Sequence, residues 1–234
     1  MRMGFHLCHS PSVACRLVTQ PSEISFAPST PRIYNTCTLF EPEGEVGTLT
    51  FVSRPNDAYQ RILLATLKSS SIPDLQVLVK LVPRSYSREV HQHMAKNQLA
   101  PKLYGCAEVE GAPTAYVMEY LDPSIWQPLH EFLKFDATTV DLTQLRTAVD
   151  YIIDELQSEE YVHGDLRSSN IMIRTDVAEY FMDLRVIDFD WAGKAGQVCY
   201  PAERNATIQW PGEAGKPIMD DDDREMASSW LAEI

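Results

Sequence analysis

Basic residues are scarce in this chain: 20 Lys and Arg stand against 33 Asp and Glu in 234 residues, a formal net charge of −13. Nucleic acid and anionic membrane surfaces are bound through clustered cations, so neither is an expected partner. Long apolar runs are missing too. None approaches the ~18 residues of a membrane span, and the opening Met1–His6 lacks the apolar core of a secretory signal. Without that signal, the sequon Asn205-Ala-Thr207 carries no weight. The five cysteines (Cys8, Cys15, Cys37, Cys106, Cys199) are scattered, odd in number and free of any C-x-x-C pair. They read as reduced thiols of an intracellular, cytoplasmic protein. Glycine is sparse, and no G-x-G-x-x-G or G-x-S-x-G occurs. The stretch Gly212-Glu-Ala-Gly-Lys-Pro217 lacks the spacing and hydroxyl of a P-loop.

What is present is an ordinary globular composition, 44% hydrophobic, with no repeat and no heptads. Residues 1–35, rich in Ser, Pro and Thr, predict a loosely ordered arm with at most one short strand. Residues 36–82 read as strands, most clearly Gly47–Val52 and Leu75–Val82, with 57–68 open to either helix or strand. A helix over about 86–98 and strands at 103–109 and 114–119 follow. The apolar spacing from Val140 to Leu156 predicts a one-sided helix over 140–158, after a short helix at 129–134. Short strands at 171–174 and 184–187 and a last helix at about 221–233 complete the order. This is an α+β, bilobal arrangement: a strand-rich first lobe, 36–119, and a helical second lobe, 120–234.

Three segments carry chemistry. In His163-Gly-Asp-Leu-Arg-Ser-Ser-Asn170, Asp165 and Asn170 hold the spacing of H-x-D-x-x-x-x-N. A carboxylate there orients a hydroxyl, and an amide oxygen completes a metal shell. In Val186-Ile-Asp-Phe-Asp190, Asp188 directly follows an apolar strand, a suitable place for a carboxylate ligand of Mg²⁺. Lys80, inside Val77–Val82, either faces solvent or reaches into a cleft. The following helix offers Glu89 to pair with it and aim the ammonium at phosphates. His91 and His93 read more readily as surface histidines than as metal ligands. Trp126, Trp191, Trp210 and Trp230 read as packing residues.

Together these segments resemble the protein-kinase-like superfamily. The wording HGDLRSSNIMI with VIDFDWAGKAG is closer to the aminoglycoside phosphotransferase and choline kinase branch, and closest to kinase-like proteins of mushroom-forming fungi, with Leu99-Ala-Pro-Lys-Leu-Tyr-Gly105 at the matching place. The resemblance spans roughly residues 75–231. It implies ATP and Mg²⁺ as cofactors and a hydroxyl on a protein or small molecule as acceptor. Lys80 would grip phosphates and Glu89 would be its partner. Val117–Tyr120 would form the hinge, with Glu119 and Tyr120 at the adenine. Asp165 would be the catalytic carboxylate, and Asn170 and Asp188 the metal ligands. Asp223 would tie down the catalytic loop, unless the acidic run Asp220–Asp223 only favours a helix start.

The chain also departs from that pattern. Gly44 and Gly47 are the only nearby candidates for a phosphate-covering loop before Lys80, and Glu41, Glu43 and Glu45 surround them. Gly164, not Arg, precedes Asp165, so control through a phosphorylated loop is not expected. The short stretch after Asp190 implies a minimal or truncated second lobe. A catalytically weak scaffold is therefore the alternative to an active phosphotransferase.

Overall fold

The computed structural model describes residues 34–54, 61–136, 141–176 and 183–234. The predicted arm, apart from Tyr34 and Asn35, and residues 57–60 lie outside them.

Six strands of the first half close into a barrel. They are β1 (Thr36–Leu39), β2 (Val46–Ser53), β3 (Ile62–Lys68), β4 (Leu75–Val82), β5 (Leu103–Ala107) and β6 (Thr114–Glu119), in the order β1-β2-β3-β4-β6-β5 with β1 closing antiparallel onto β5. Alternation decides the faces. Val77 and Val79 are buried in the barrel with Leu63, Ala65, Ala115 and Val117. Lys80 therefore projects from the other face of β4, toward the second half. The segment left open as helix or strand is strand from Ile62 on, because it pairs along its length with β2 and β4.

Between β4 and β5 lies α1 (Arg88–Lys96), capped by Ser87, whose side chain accepts from the Val90 N–H. It is a helix of the second core: Val90 and Met94 pack with the residues of the helical half. That half starts with β7 (Trp126–Pro128) and α2 (Leu129–Asp136). The long α3 (Leu142–Ser158) begins later than its apolar pattern, because Asp141 caps it by accepting from Thr143 and Gln144 N–H groups. Its buried stripe of Leu145, Val149, Ile152, Ile153 and Leu156 has the i, i+4, i+7, i+8, i+11 spacing of one helix face. Two small antiparallel sheets follow. One is β7 with β9 (Ile171–Arg174) and β10 (Leu184–Val186); the other pairs β8 (Tyr161–Val162) with β11 (Gly193–Lys194). The chain ends in α4 (Asp222–Leu231) after a loop that returns on itself through Cys199 and Pro217. Among the described residues no helix is long and apolar enough to cross a membrane.

Candidate functional site

The loop between β8 and β9 is anchored from α4. Asp223, 2% exposed, accepts the His163 N–H at 2.6 Å and the Gly164 N–H at 2.9 Å. Two successive backbone donors make a small anion-binding nest. Burial pushes the Asp223 carboxyl up, against the pull of His163 and the two N–H donors. Gly164 has φ +78°, and a Cβ there would meet Ile218 at 2.6 Å, so the position takes glycine for both conformation and space. This is the local reason why no arginine stands before Asp165. The His163 ring links the loop onward: Nε2 donates to the Ile187 carbonyl at 3.1 Å, and Nδ1 accepts the Asp165 N–H at 3.3 Å.

Asp165 and Asn170 come together as their spacing suggested. The Asn170 Nδ2 donates to the Asp165 carbonyl at 2.9 Å, which leaves its Oδ1 as the atom able to ligate a cation. The Ile187 N–H donates to the Asn170 carbonyl at 2.9 Å, which sets Asn170 beside the segment carrying Asp188. A residue that sequence reasoning passed over completes this end. Arg167 holds both oxygens of Asp165, through Nε to Oδ1 and through Nη2 to Oδ2 at 2.8 Å. The signal available was a cation two positions after the carboxylate.

Lys80 enters from the barrel. Its Nζ lies 2.6 Å from Asp188 and 2.5 Å from Asp190. This corrects the expected Lys80–Glu89 pair. Glu89 is exposed on α1 and is hydrogen-bonded to Tyr161. The residue α1 turns inward is His91, 1% exposed, so it is not a surface histidine. Its ring stacks on Phe189 at 4.5 Å, Nδ1 meets the Tyr86 hydroxyl at 2.6 Å, and Nε2 donates to the Pro101 carbonyl at 2.8 Å. Burial pushes this imidazole down to about 4. Asp188 sits at φ +73°, a strained backbone of the kind concentrated at functional sites. Its side chain is 46% exposed. Burial among protein groups raises its carboxyl, but the Lys80 ammonium outweighs this and holds it below the usual range. Asp190 moves the other way, up, through burial and the neighbouring Asp188 charge.

The phosphate-covering candidates are also corrected. Pairing sets Ile62 beside Lys80, whereas Lys68 pairs with Thr48 near Gly47. Gly44 and Gly47 thus lie at the opposite end of the barrel, roughly 20 Å away along the strands. There the Glu45 carboxylate accepts from the N–H groups of Ser70 and Ser71. The connection that ends beside Lys80 is the one from β2 to β3, whose residues 55–60 lie outside the described residues.

At the expected hinge, the Glu119 N–H donates to the Lys102 carbonyl at 2.8 Å, and its carboxylate accepts the Lys102 N–H at 3.0 Å. That N–H is committed to protein, so Glu119 has no free backbone donor for a purine. Tyr120 follows directly, half-buried between the two halves of the chain.

Asp188, Asn170 and Asp190 supply carboxylate and amide oxygens, the hard donors that suit Mg²⁺ shared with substrate phosphates. Among the described residues, no group of three His, Cys, Asp or Glu side chains is placed to hold a metal alone. The donor set fits a cation held jointly with a nucleotide.

No family model matches the chain, and no curated protein matches it. Solved structures do. The kinase PK-1 of Cydia pomonella granulovirus superposes with a TM-score of 0.58 at 15% identity, over 80% of this chain and 67% of that one. Vaccinia related kinase 3 superposes with a TM-score of 0.52 at 14% identity, over 90% of this chain and 69% of that one. At such identities the likeness is one of fold, and the fold of this chain is protein-kinase-like.

Proposed function

We propose that this chain is a Mg²⁺- and ATP-dependent phosphotransferase. The observation that carries the reading is the convergence of Lys80, Asp188, Asn170 and Asp165, from β4, the segment after β10 and the loop between β8 and β9. In this scheme Lys80 leaves part of its contact with the two aspartates to meet the donor phosphates. Asp165 accepts the proton of an acceptor hydroxyl. The oxygen then forms a bond to the γ-phosphorus while the bond to the bridging oxygen breaks, and ADP leaves with that electron pair. Mg²⁺, when bound by Asp188 and Asn170, supplies charge neutralisation on the phosphate oxygens. The wording of the two motifs favours the branch that phosphorylates small molecules over protein kinases.

The alternative is a nucleotide-binding scaffold without turnover. What favours it is the commitment of Lys80 to two carboxylates, which a triphosphate must disturb. One set of measurements separates the readings. Mg²⁺-ATP at about a hundred times its dissociation constant stabilises a folded chain by ~2.7 kcal/mol. For a chain of this length that is a melting rise of roughly 5–10 °C. Asp188→Ala is expected to lose the rise, and Asp165→Asn to keep it while losing phosphate transfer. A parent chain that does not respond to Mg²⁺-ATP refutes nucleotide binding. A response without transfer to any hydroxyl assigns the chain to the scaffold class.

A further inference from the structure

The loop after β11 builds an aromatic platform beside Asp165. Tyr200 is buried with Val162 and Ile218, and Trp191 and Trp210 pack against them. Trp210 is fixed in place, since its Nε1 donates to the Asn205 carbonyl at 2.9 Å and Asn205 itself caps a turn onto Thr207. Two arginines use this one indole. The Arg167 guanidinium carbon lies 5.4 Å from the ring centre, and that of Arg204 lies 5.5 Å from it and 5.0 Å from the Tyr200 ring.

Arg204 is the unusual member. In a chain with net charge −13, Arg174, Arg185 and Arg224 each meet a carboxylate, whereas Arg146 donates to the Leu231 carbonyl and Arg88 lies over the Phe40 ring. Arg204 meets no carboxylate among the described residues, and its Nη1 is buried without a hydrogen-bond partner. One other described side-chain atom shares that condition, Nδ1 of His130 on α2. Burial lowers the His130 imidazole, with the charge of nearby Arg167 adding to the effect. The Arg167 charge thus reaches His130, and Arg167 shares Trp210 with Arg204. The acidic residues close by are engaged: Glu131 by His130 at 2.9 Å and Lys134 at 3.4 Å, Asp165 by Arg167, and Asp222 by the Met219 N–H and Tyr200. A buried donor without a partner in a native fold calls for a ligand, ion or water. A guanidinium fork on an aromatic face suits a phosphate or carboxylate.

We propose that Arg204 and Arg167, which both contact Trp210, form an oxyanion subsite, so that the acceptor is a small hydroxyl compound bearing a phosphate or carboxylate. The proposal rests on the phosphotransfer reading and names its substrate class. Arg167 spends Nε and Nη2 on Asp165, which leaves Nη1 to share an anion with Arg204 while Asp165 faces the hydroxyl.

The test uses the full chain, with and without saturating Mg²⁺-ADP. Thermal melting is followed against inorganic phosphate, glycerol 3-phosphate and glycerate, with glycerol and ionic-strength-matched chloride as controls. The anions are expected to raise the melting temperature, and the controls are not. Arg204→Gln is expected to weaken the anion response about tenfold or more, the loss of one charge-assisted contact, while keeping the Mg²⁺-ADP response. Arg204→Lys, which retains the cation without the fork, is expected to fall between, and it serves if the Gln variant does not fold. An anion response equal to chloride, or unchanged in both variants, overturns the subsite. Absence of any Mg²⁺-ADP response, with the anion response intact, overturns the nucleotide reading alone.

Discussion

His91 makes the stability of this fold dependent on pH between about 4 and 6.5. The ring is enclosed, stacked on Phe189, and its two nitrogens have one acceptor partner and one hydroxyl partner. In the neutral imidazole Nε2–H donates to the Pro101 carbonyl and Nδ1 accepts from the Tyr86 hydroxyl. Burial, with Lys80 and His163 adding to it, takes the folded-state value from 6.5 to about 4. Between those values the unfolded chain binds a proton that the folded chain does not. Stability therefore rises with pH across the window and is lost as pH falls. The full difference corresponds to about 3 kcal/mol at 1.36 kcal/mol per unit, of which about 1.4 kcal/mol is already lost by pH 5.5.

For a chain of this size that loss is a fall of roughly 3–6 °C in melting temperature between pH 7.5 and 5.5. His130 is also lowered and adds loss of the same sign, so the informative quantity is the difference between parent and variant. His91→Phe keeps a ring against Phe189 and removes the titration. It is expected to melt lower at pH 7.5, because the Pro101 carbonyl and Tyr86 hydroxyl lose their partner, and to show a flatter pH profile. A pH dependence of equal size in parent and variant, read by calorimetry or circular dichroism, refutes the assignment.

Two further outcomes follow from the anchored loop. Asp223→Ala strands two buried N–H groups, each costing about 1–3 kcal/mol, so a melting decrease of roughly 4–24 °C is expected; a change below about 2 °C would mean that the carboxylate does not hold the loop. Gly164→Ala forces a side chain into a left-handed backbone at about 1–2 kcal/mol and into Ile218, so a drop of roughly 2–8 °C is expected in the same melt, and a neutral result would contradict the positive φ.

The parts of the site that were legible in the sequence are the parts whose geometry is local. Asp165 and Asn170 are joined within one loop, and Asp188 follows its strand directly, so spacing alone carried them. Asp223 was legible only through the family resemblance, since an acidic run at a helix start has a sufficient reason of its own. The Lys80–Glu89 pair failed on helix phase. At 100° per residue, Glu89 and His91 point about 160° apart, and apolar packing chose His91 for the inside. The glycine loop failed because β1 adds a hairpin that the motif order does not announce; strand periodicity says which face is buried but not which end meets the cleft. Arg204 was invisible for another reason: a single arginine in a loop has no period, and only the fold brings it to Trp210 beside Arg167.

The choice of His91 over Glu89 also explains why Asp190 stands where it does. A lysine turned off the barrel toward the second half needs a counter-charge, and α1 offers it an imidazole. The segment after β10 supplies the charge instead, with alternation doing the placing: Asp188 and Asp190 both reach Lys80, and Phe189 between them points away. There Phe189 stacks on His91 and lies edge-on to His163 at 5.2 Å. The aromatic contact that joins α1 to the loop of Asp165 and the ion pairs that join β4 to the same half are therefore made by three consecutive residues. A backbone movement that takes Phe189 out of its stack also carries the two carboxylates with it. A glycine at position 190 would loosen this segment and remove one of the two charges. The aspartate keeps Lys80 fixed from the second half, in the absence of any carboxylate on the inner face of α1.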